Sequence, residues 1–174
     1  MLIIKNGTVH DAVRPGSIAD VLVEDGKIVA VGGNLEAAGA QVLDAAGLNV
    51  YPGFVEAHGH IGLDGYGIGY EGQDYNEYND ILSPQLRAID AIQPRDYALR
   101  EAREAGITCV NVGPGSANVL GGTFAAIKTL GVRVDDMCIK RETAMKCAFG
   151  ENPKRCYKDK GDSTRMSTAA KLRE

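Results

Sequence analysis

The chain has 174 residues, 44% of them hydrophobic and 24% charged, which is the profile of a folded globular protein of one or two small domains with enough apolar residues for a core. Its formal net charge of −4 and the lack of a clustered Lys/Arg stripe argue against nucleic acid as a partner, and the locally basic residues 154–160 read as a solvated loop. No apolar run approaches the roughly eighteen residues of a membrane span, and the chain enters strand-like sequence at Leu2-Ile3-Ile4 without the basic and apolar regions of a signal peptide, so a cytoplasmic protein without a membrane partner is expected. Cys109, Cys138, Cys147 and Cys156 are widely spaced with no Cys-x-x-Cys pair, which excludes a zinc ribbon and points to reduced thiols.

Residues 2–31 alternate short apolar runs with turn signals. Asn6-Gly7 and Asp25-Gly26 are strong tight-turn pairs, and the second lies between two Val/Ile-rich runs, so residues 21–31 read as a β-hairpin. Residues 34–39 read as a loop or short helical turn, and Gln41-Val42-Leu43-Asp44 as a further strand. A sheet this short leaves open edges and a half-exposed apolar face. Its one histidine, His10 beside Asp11, reads as a surface residue.

Beyond residue 50 the pattern changes. Residues 50–60 read as a buried strand, 62–80 as a polar loop rich in Gly and Tyr, and 94–105 as a helix with Tyr97, Ala98, Ala102 and Ala105 on its apolar face and Gly106 as its stop. The β-branched run Ile107-Thr108-Cys109-Val110-Asn111-Val112 follows, so strand, helix and strand predict a parallel right-handed crossover. Residues 113–123 form a glycine-rich stretch without the Gly-Lys-Ser/Thr ending of a phosphate loop or a dinucleotide fingerprint, and read as a flexible loop lining a site. A second helix is expected over 134–146, then a short extended segment ending in a polar turn at Gly150-Glu151-Asn152-Pro153, and a last helix over 163–174.

The chemistry concentrates in Pro52-Gly53-Phe54-Val55-Glu56-Ala57-His58-Gly59-His60. Two imidazoles at i and i+2 project from one face of a strand, and neutral imidazole nitrogens are good ligands for a divalent metal. Glu56 shares that spacing, as a buried ion-pair partner or a catalytic group. No catalytic acid or base can be assigned from the residues alone.

The Pro-Gly-Phe-Val-Glu-Ala-His-Gly-His run, preceded by an all-β stretch, resembles the amidohydrolase superfamily, in which an N-terminal β-sandwich portion precedes a (β/α)8 barrel whose first strand carries His-x-His. The resemblance covers residues 1 to about 115. It implies an α/β fold in which residues 1–50 are the N-terminal part of a small β-sandwich domain, completed in the family by strands from the far end of the chain. Residues 51–174 would be the first strands and helices of the barrel, most similar to the imidazolonepropionase-like branch. A complete barrel needs roughly 250 residues, so an amino-terminal portion of a longer enzyme is expected.

For function, the resemblance implies a metal-dependent hydrolase that cleaves a C–N bond in a cyclic amide, a dipeptide or a similar small molecule, with His58 and His60 as ligands of one or two divalent ions, zinc being the expected metal. The family often adds a glutamate or a carboxylated lysine from a later strand. Glu151, at the end of its segment, is the expected third ligand, with Lys146 the rival, and Lys154 and Arg155 are candidates to hold a substrate carboxylate. The remaining ligands and general base of the family lie outside these residues, so the 174-residue chain alone is expected to be inactive and the full-length protein a homo-oligomer. Two other readings remain open: a deaminase on the same scaffold, and a non-catalytic interaction module.

Overall fold

A computed structural model describes residues 1–174, and the chain divides into two compact units, Met1–Pro52 and Gly53–Glu174. The first unit is one mixed sheet. β1 (Leu2–Val9) lies at its centre, pairs antiparallel with β2 (Ser17–Glu24), and runs parallel to β4 (Gln41–Asp44) and β5 (Asn49–Val50); β3 (Lys27–Gly32) pairs antiparallel with β2 at the edge. The β2–β3 hairpin turns at Asp25 and Gly26, both with positive φ (49° and 74°), the turn whose twist matches paired strands. The sheet is a single layer, with Val31, Val42 and Leu43 more than half exposed.

Asn6-Gly7 is not a turn. It sits inside β1, where the register against β2 shifts between Ile4 and Gly7 and Asn6 adopts φ 63°. The buried Asp20 carboxylate accepts the Asn6 N–H at 2.8 Å and the Leu35 N–H at 2.9 Å, which satisfies the donor that the bulge removes from the ladder. Asparagine tolerates the left-handed conformation, so the dipeptide that marks hairpins elsewhere serves as a bulge here.

The second unit contains a four-stranded sheet in the order β10-β9-β7-β6, formed by β6 (Phe54–Gly59), β7 (Ile107–Val112), β9 (Ala125–Lys128) and β10 (Cys138–Lys140). A separate antiparallel pair joins β8 (Leu120–Thr123) to β11 (Met145–Cys147). β6 and β7 are parallel and joined through α1 (Tyr97–Glu104), the strand, helix and strand expected. The expectation of further βα units is not met within this sheet: β7 pairs antiparallel with β9, and β9 antiparallel with β10.

α1 begins at Asp96, whose Oδ1 accepts the Ala98 N–H at 2.9 Å while Oδ2 accepts the Gly62 N–H at 2.9 Å, so one nearly buried carboxylate caps the helix and anchors the loop after the histidines. Gly106, at φ +88°, ends it. Its inward residue is Leu99 rather than the expected Tyr97, which is half exposed. Leu99 packs with Val110 and Val112 of β7, Ala125 and Ile127 of β9, and Met137 into one apolar core.

Four other expectations need correction. β6 is an edge strand with Phe54 and Val55 exposed, not a buried one, since it has a neighbour only on the β7 side. The helix expected over 134–146 is one turn, α2 (Val134–Met137), because β10 then pairs with β9. The basic stretch is not a solvated loop: it runs through α3 (Glu151–Cys156) and a 3₁₀ turn, with Pro153 and Tyr157 buried. The glycine-rich stretch is not a flexible loop, for Ala117, Asn118 and Val119 are buried and β8 follows. The last helix, α4 (Arg165–Arg173), starts at a Thr164–Ser167 capping box.

Candidate metal centre

His58 lies on β6, and His60 follows just beyond the strand's last residue. Their ring centroids are 5.5 Å apart with the planes at 86°. Each ring is held by a neighbour that the sequence did not single out. His60 stacks on Tyr75 (5.4 Å, 19°), and its Nδ1 lies 2.7 Å from the Gly113 carbonyl oxygen. A carbonyl can only accept, so Nδ1 carries the proton and donates, and the Nε2 lone pair is left for another partner. Metal-binding histidines are oriented by this kind of outer hydrogen bond. His58 packs edge-on against the Phe124 ring at 5.1 Å.

Gly113 is a glycine for a steric reason. A Cβ at this position would come within 2.1 Å of Phe124 Cδ1, so the carbonyl that holds His60 and the ring that supports His58 approach each other only without a side chain.

Electrostatics favours neutral imidazole at His58. Desolvation by burial lowers its pKa first, followed by the electrostatic influence of Lys146 and then of the neighbouring imidazole, with Glu56 opposing them. Glu56 itself turns back onto its strand, where Oε1 accepts the His58 N–H at 3.0 Å. Lys146 is the inward residue of β11, between two exposed neighbours, and its side chain passes over Gly121 with Cγ 3.4 Å from where a Cβ would sit. It is 9% exposed, burial lowers its pKa, and its ammonium forms no hydrogen bond or ion pair with the protein.

The structure does not gather Glu151 with the histidines. Glu151 is the first residue of α3 rather than the end of a strand, its side chain is 87% exposed, and it forms an ion pair with Lys154 at 2.9 Å. No third His, Cys, Asp or Glu stands with the His58–His60 pair. Of the two expected anion-binding cations, Lys154 is committed to Glu151, whereas Arg155 lines a cleft beside His60.

The loop above this cleft is tied down from beneath. Tyr157 Oη donates to the Glu77 carbonyl at 2.6 Å and accepts from Asn118 Nδ2 at 2.9 Å, and Asn118 Nδ2 also reaches the Glu77 and Asp80 carbonyls. The Gly115 N–H donates to the Tyr75 carbonyl at 2.6 Å, and the Ala117 N–H to Asn76 Oδ1 at 3.2 Å. Residues 75–80 are thus fixed on the core.

No family model matches the chain. Among solved structures, an amidohydrolase from Thermotoga maritima superposes with a TM-score of 0.95 and 41% identity over 99% of this chain and 46% of its own. The chain belongs to the amidohydrolase superfamily. The amidohydrolase tasK of Hapsidospora irregularis is 32% identical over 155 residues, 80% of this chain and 16% of the relative. A D-hydantoinase of Geobacillus stearothermophilus is 44% identical over 61 residues, 35% of this chain and 13% of the relative. This amidohydrolase chain therefore spans less than half the length of each of these proteins. No helix in it is long and apolar enough to cross a membrane.

Proposed function

We propose that this chain forms one wall of the active site of a metal-dependent amidohydrolase that cleaves a C–N bond in a cyclic amide or dipeptide-like small molecule, with His58, His60 and Lys146 facing the metal. The carrying observation is the imidazole pair with His60 Nδ1 donating to the Gly113 carbonyl at 2.7 Å, which leaves Nε2 as the ring nitrogen to face a cation. Similarity to proteins named amidohydrolase and D-hydantoinase supports the reaction class.

The donor set fits a metal in part. Two imidazoles suit zinc, whose protein sites usually have tetrahedral coordination. Lys146 replaces Glu151 as the third group on this reading. A buried lysine without a protein partner can add to carbon dioxide: the ammonium first gives one proton to solvent, an N–C bond forms as a C=O π bond of carbon dioxide opens onto oxygen, a second proton leaves the nitrogen, and the product is a carbamate anion with two donor oxygens. That conversion turns an uncompensated buried cation into a negative ligand beside His58, and it gives the position a reason for being lysine.

When bound, a divalent ion would supply a Lewis acid for the scissile carbonyl and lower the pKa of a water molecule. The chain's own residues would do the rest of the work on this side of the site: Gly113 holds the His60 tautomer, Phe124 and Tyr75 hold the two rings in place, and residues 75–80 cover the His60 side. Two imidazoles and one lysine leave the proton shuttle unassigned, so the 174 residues by themselves should not turn over substrate.

Zinc binding by the protein, measured by calorimetry with and without bicarbonate, tests this reading. Bicarbonate should strengthen zinc binding in the wild type and have no effect in Lys146→Ala, and His60→Ala should weaken binding in both buffers. Unchanged zinc affinity in His60→Ala would sink it.

A further inference from the structure

We infer that Asn111 and Glu56 are positioning residues for His58: they hold the two ends of the Ala57–His58 peptide, which a bulge in β6 removes from the strand ladder. The consequence for zinc rests on the metal-site reading above; the clamp on the backbone does not.

β6 pairs with β7 at Glu56 and Val110 and again at Gly59 and Val112, so three steps along β6 oppose two along β7, and neither Ala57 nor His58 has a ladder partner. The peptide between them carries the Ala57 carbonyl and the His58 N–H, and both are taken up by side chains. Asn111, which lies between the two β7 partners, donates from Nδ2 to the Ala57 carbonyl at 3.2 Å, and Glu56 Oε1 accepts the His58 N–H at 3.0 Å. The ladder resumes at Gly59, whose carbonyl accepts the Gly113 N–H at 3.1 Å, and the Gly113 carbonyl then holds His60. Asn111 is itself braced: its Oδ1 accepts the Thr143 hydroxyl at 2.6 Å, and the Thr143 N–H donates to the carbonyl of Phe124, whose ring lies against His58.

This arrangement asks for an amide at position 111. Asn111 donates toward Ala57 and accepts from Thr143 at once; aspartate would keep the acceptor and lose the donor, and an aliphatic residue would lose both. A bulge re-aims the side chains that it carries, and one whose peptide is left to water has no fixed aim. With the plane held at both ends, the Cα–Cβ bond of His58 has one direction. β7 thus sets both imidazoles, His60 through the main chain of Gly113 and His58 through the side chain of Asn111. Glu56 gains a role different from an ion pair or a catalytic group, since its carboxylate is turned onto its own strand.

The test has two parts. In the metal-free chain, amide hydrogen exchange followed by NMR should quicken about tenfold at His58 in Asn111→Leu, although the Glu56 acceptor is untouched, because one peptide plane carries both bonds. The Val110 and Val112 amides are the control, since a general loosening of the sheet would quicken them as well. In zinc calorimetry, Asn111→Leu and Glu56→Ala should each weaken binding about tenfold, and the double variant should fall no more than about twofold below either, because both act on the same peptide. Glu56→Gln keeps an acceptor oxygen and should match the wild type. Unchanged exchange at His58 in Asn111→Leu, or exchange that quickens equally at Val110 and Val112, would overturn the proposal. So would fully additive losses in the double variant, or Glu56→Gln behaving as Glu56→Ala, since charge rather than the hydrogen bond would then matter. Absence of zinc binding by the wild type, with the His58-specific exchange intact, removes the metal reading and leaves the clamp standing.

Discussion

Lys146→Met should make the metal-free protein more stable, the reverse of the usual result for a change in the interior. Lys146 is 9% exposed, burial lowers its pKa, and its ammonium has no hydrogen bond or ion pair within the protein. A buried polar group left unsatisfied costs about 1–3 kcal/mol, and charged groups cost more. Methionine fills nearly the same volume along Gly121 with no charge, so roughly 1–2 kcal/mol should be regained after allowing for imperfect repacking. For a chain of this size that corresponds to a rise in melting temperature of roughly 2–8 °C. Urea denaturation in chelator and carbon dioxide-free buffer measures it. The order should invert with zinc and bicarbonate present: ligand at a hundred times its dissociation constant stabilises by about 2.7 kcal/mol, and the variant, with only two imidazoles left, should gain much less. Destabilisation of Lys146→Met by more than about 1 kcal/mol without metal would refute the reasoning, because the ammonium would then be making a favourable interaction.

Three further outcomes are expected. Glu151→Gln should leave zinc affinity unchanged, since its carboxylate is exposed and paired with Lys154; a tenfold loss by calorimetry would restore it as a ligand. Gly113→Ala drives a methyl group to within 2.1 Å of the Phe124 ring and should cost about 1–3 kcal/mol in urea denaturation while weakening zinc binding, because that ring supports His58. Tyr157→Phe removes the hydroxyl shared by Asn118 and the Glu77 and Asp80 carbonyls; it should cost about 1–2 kcal/mol, with faster proteolysis confined to residues 62–80, and uniform cleavage along the chain would argue against a local tether.

Much of the candidate site was legible because it is local. Two histidines one residue apart near a strand end need only strand geometry to converge, and the Asp25-Gly26 hairpin and the helix from Asp96 to Gly106 rest on turn and capping chemistry carried by a few adjacent residues. Lys146 had a weak local signal as the central residue of a three-residue strand, but alternation alone does not say which face is buried. The proposal of Lys146 in place of Glu151 rests on the β8–β11 pairing, which turns Lys146 inward, and on the helix start at Gly150, which turns Glu151 outward.

By itself, then, the order of residues determined the imidazole pair, the β character of the first fifty residues, and the parallel β6–α1–β7 unit. Tertiary structure decided where the sheet ran antiparallel, whether Asn6-Gly7 turned or bulged, and which partners held each imidazole. Gly113 meets His60 across 53 positions and Tyr157 meets Glu77 across 80. Contacts at such separations leave no periodicity in the chain, because they depend on which surfaces the packed core brings together.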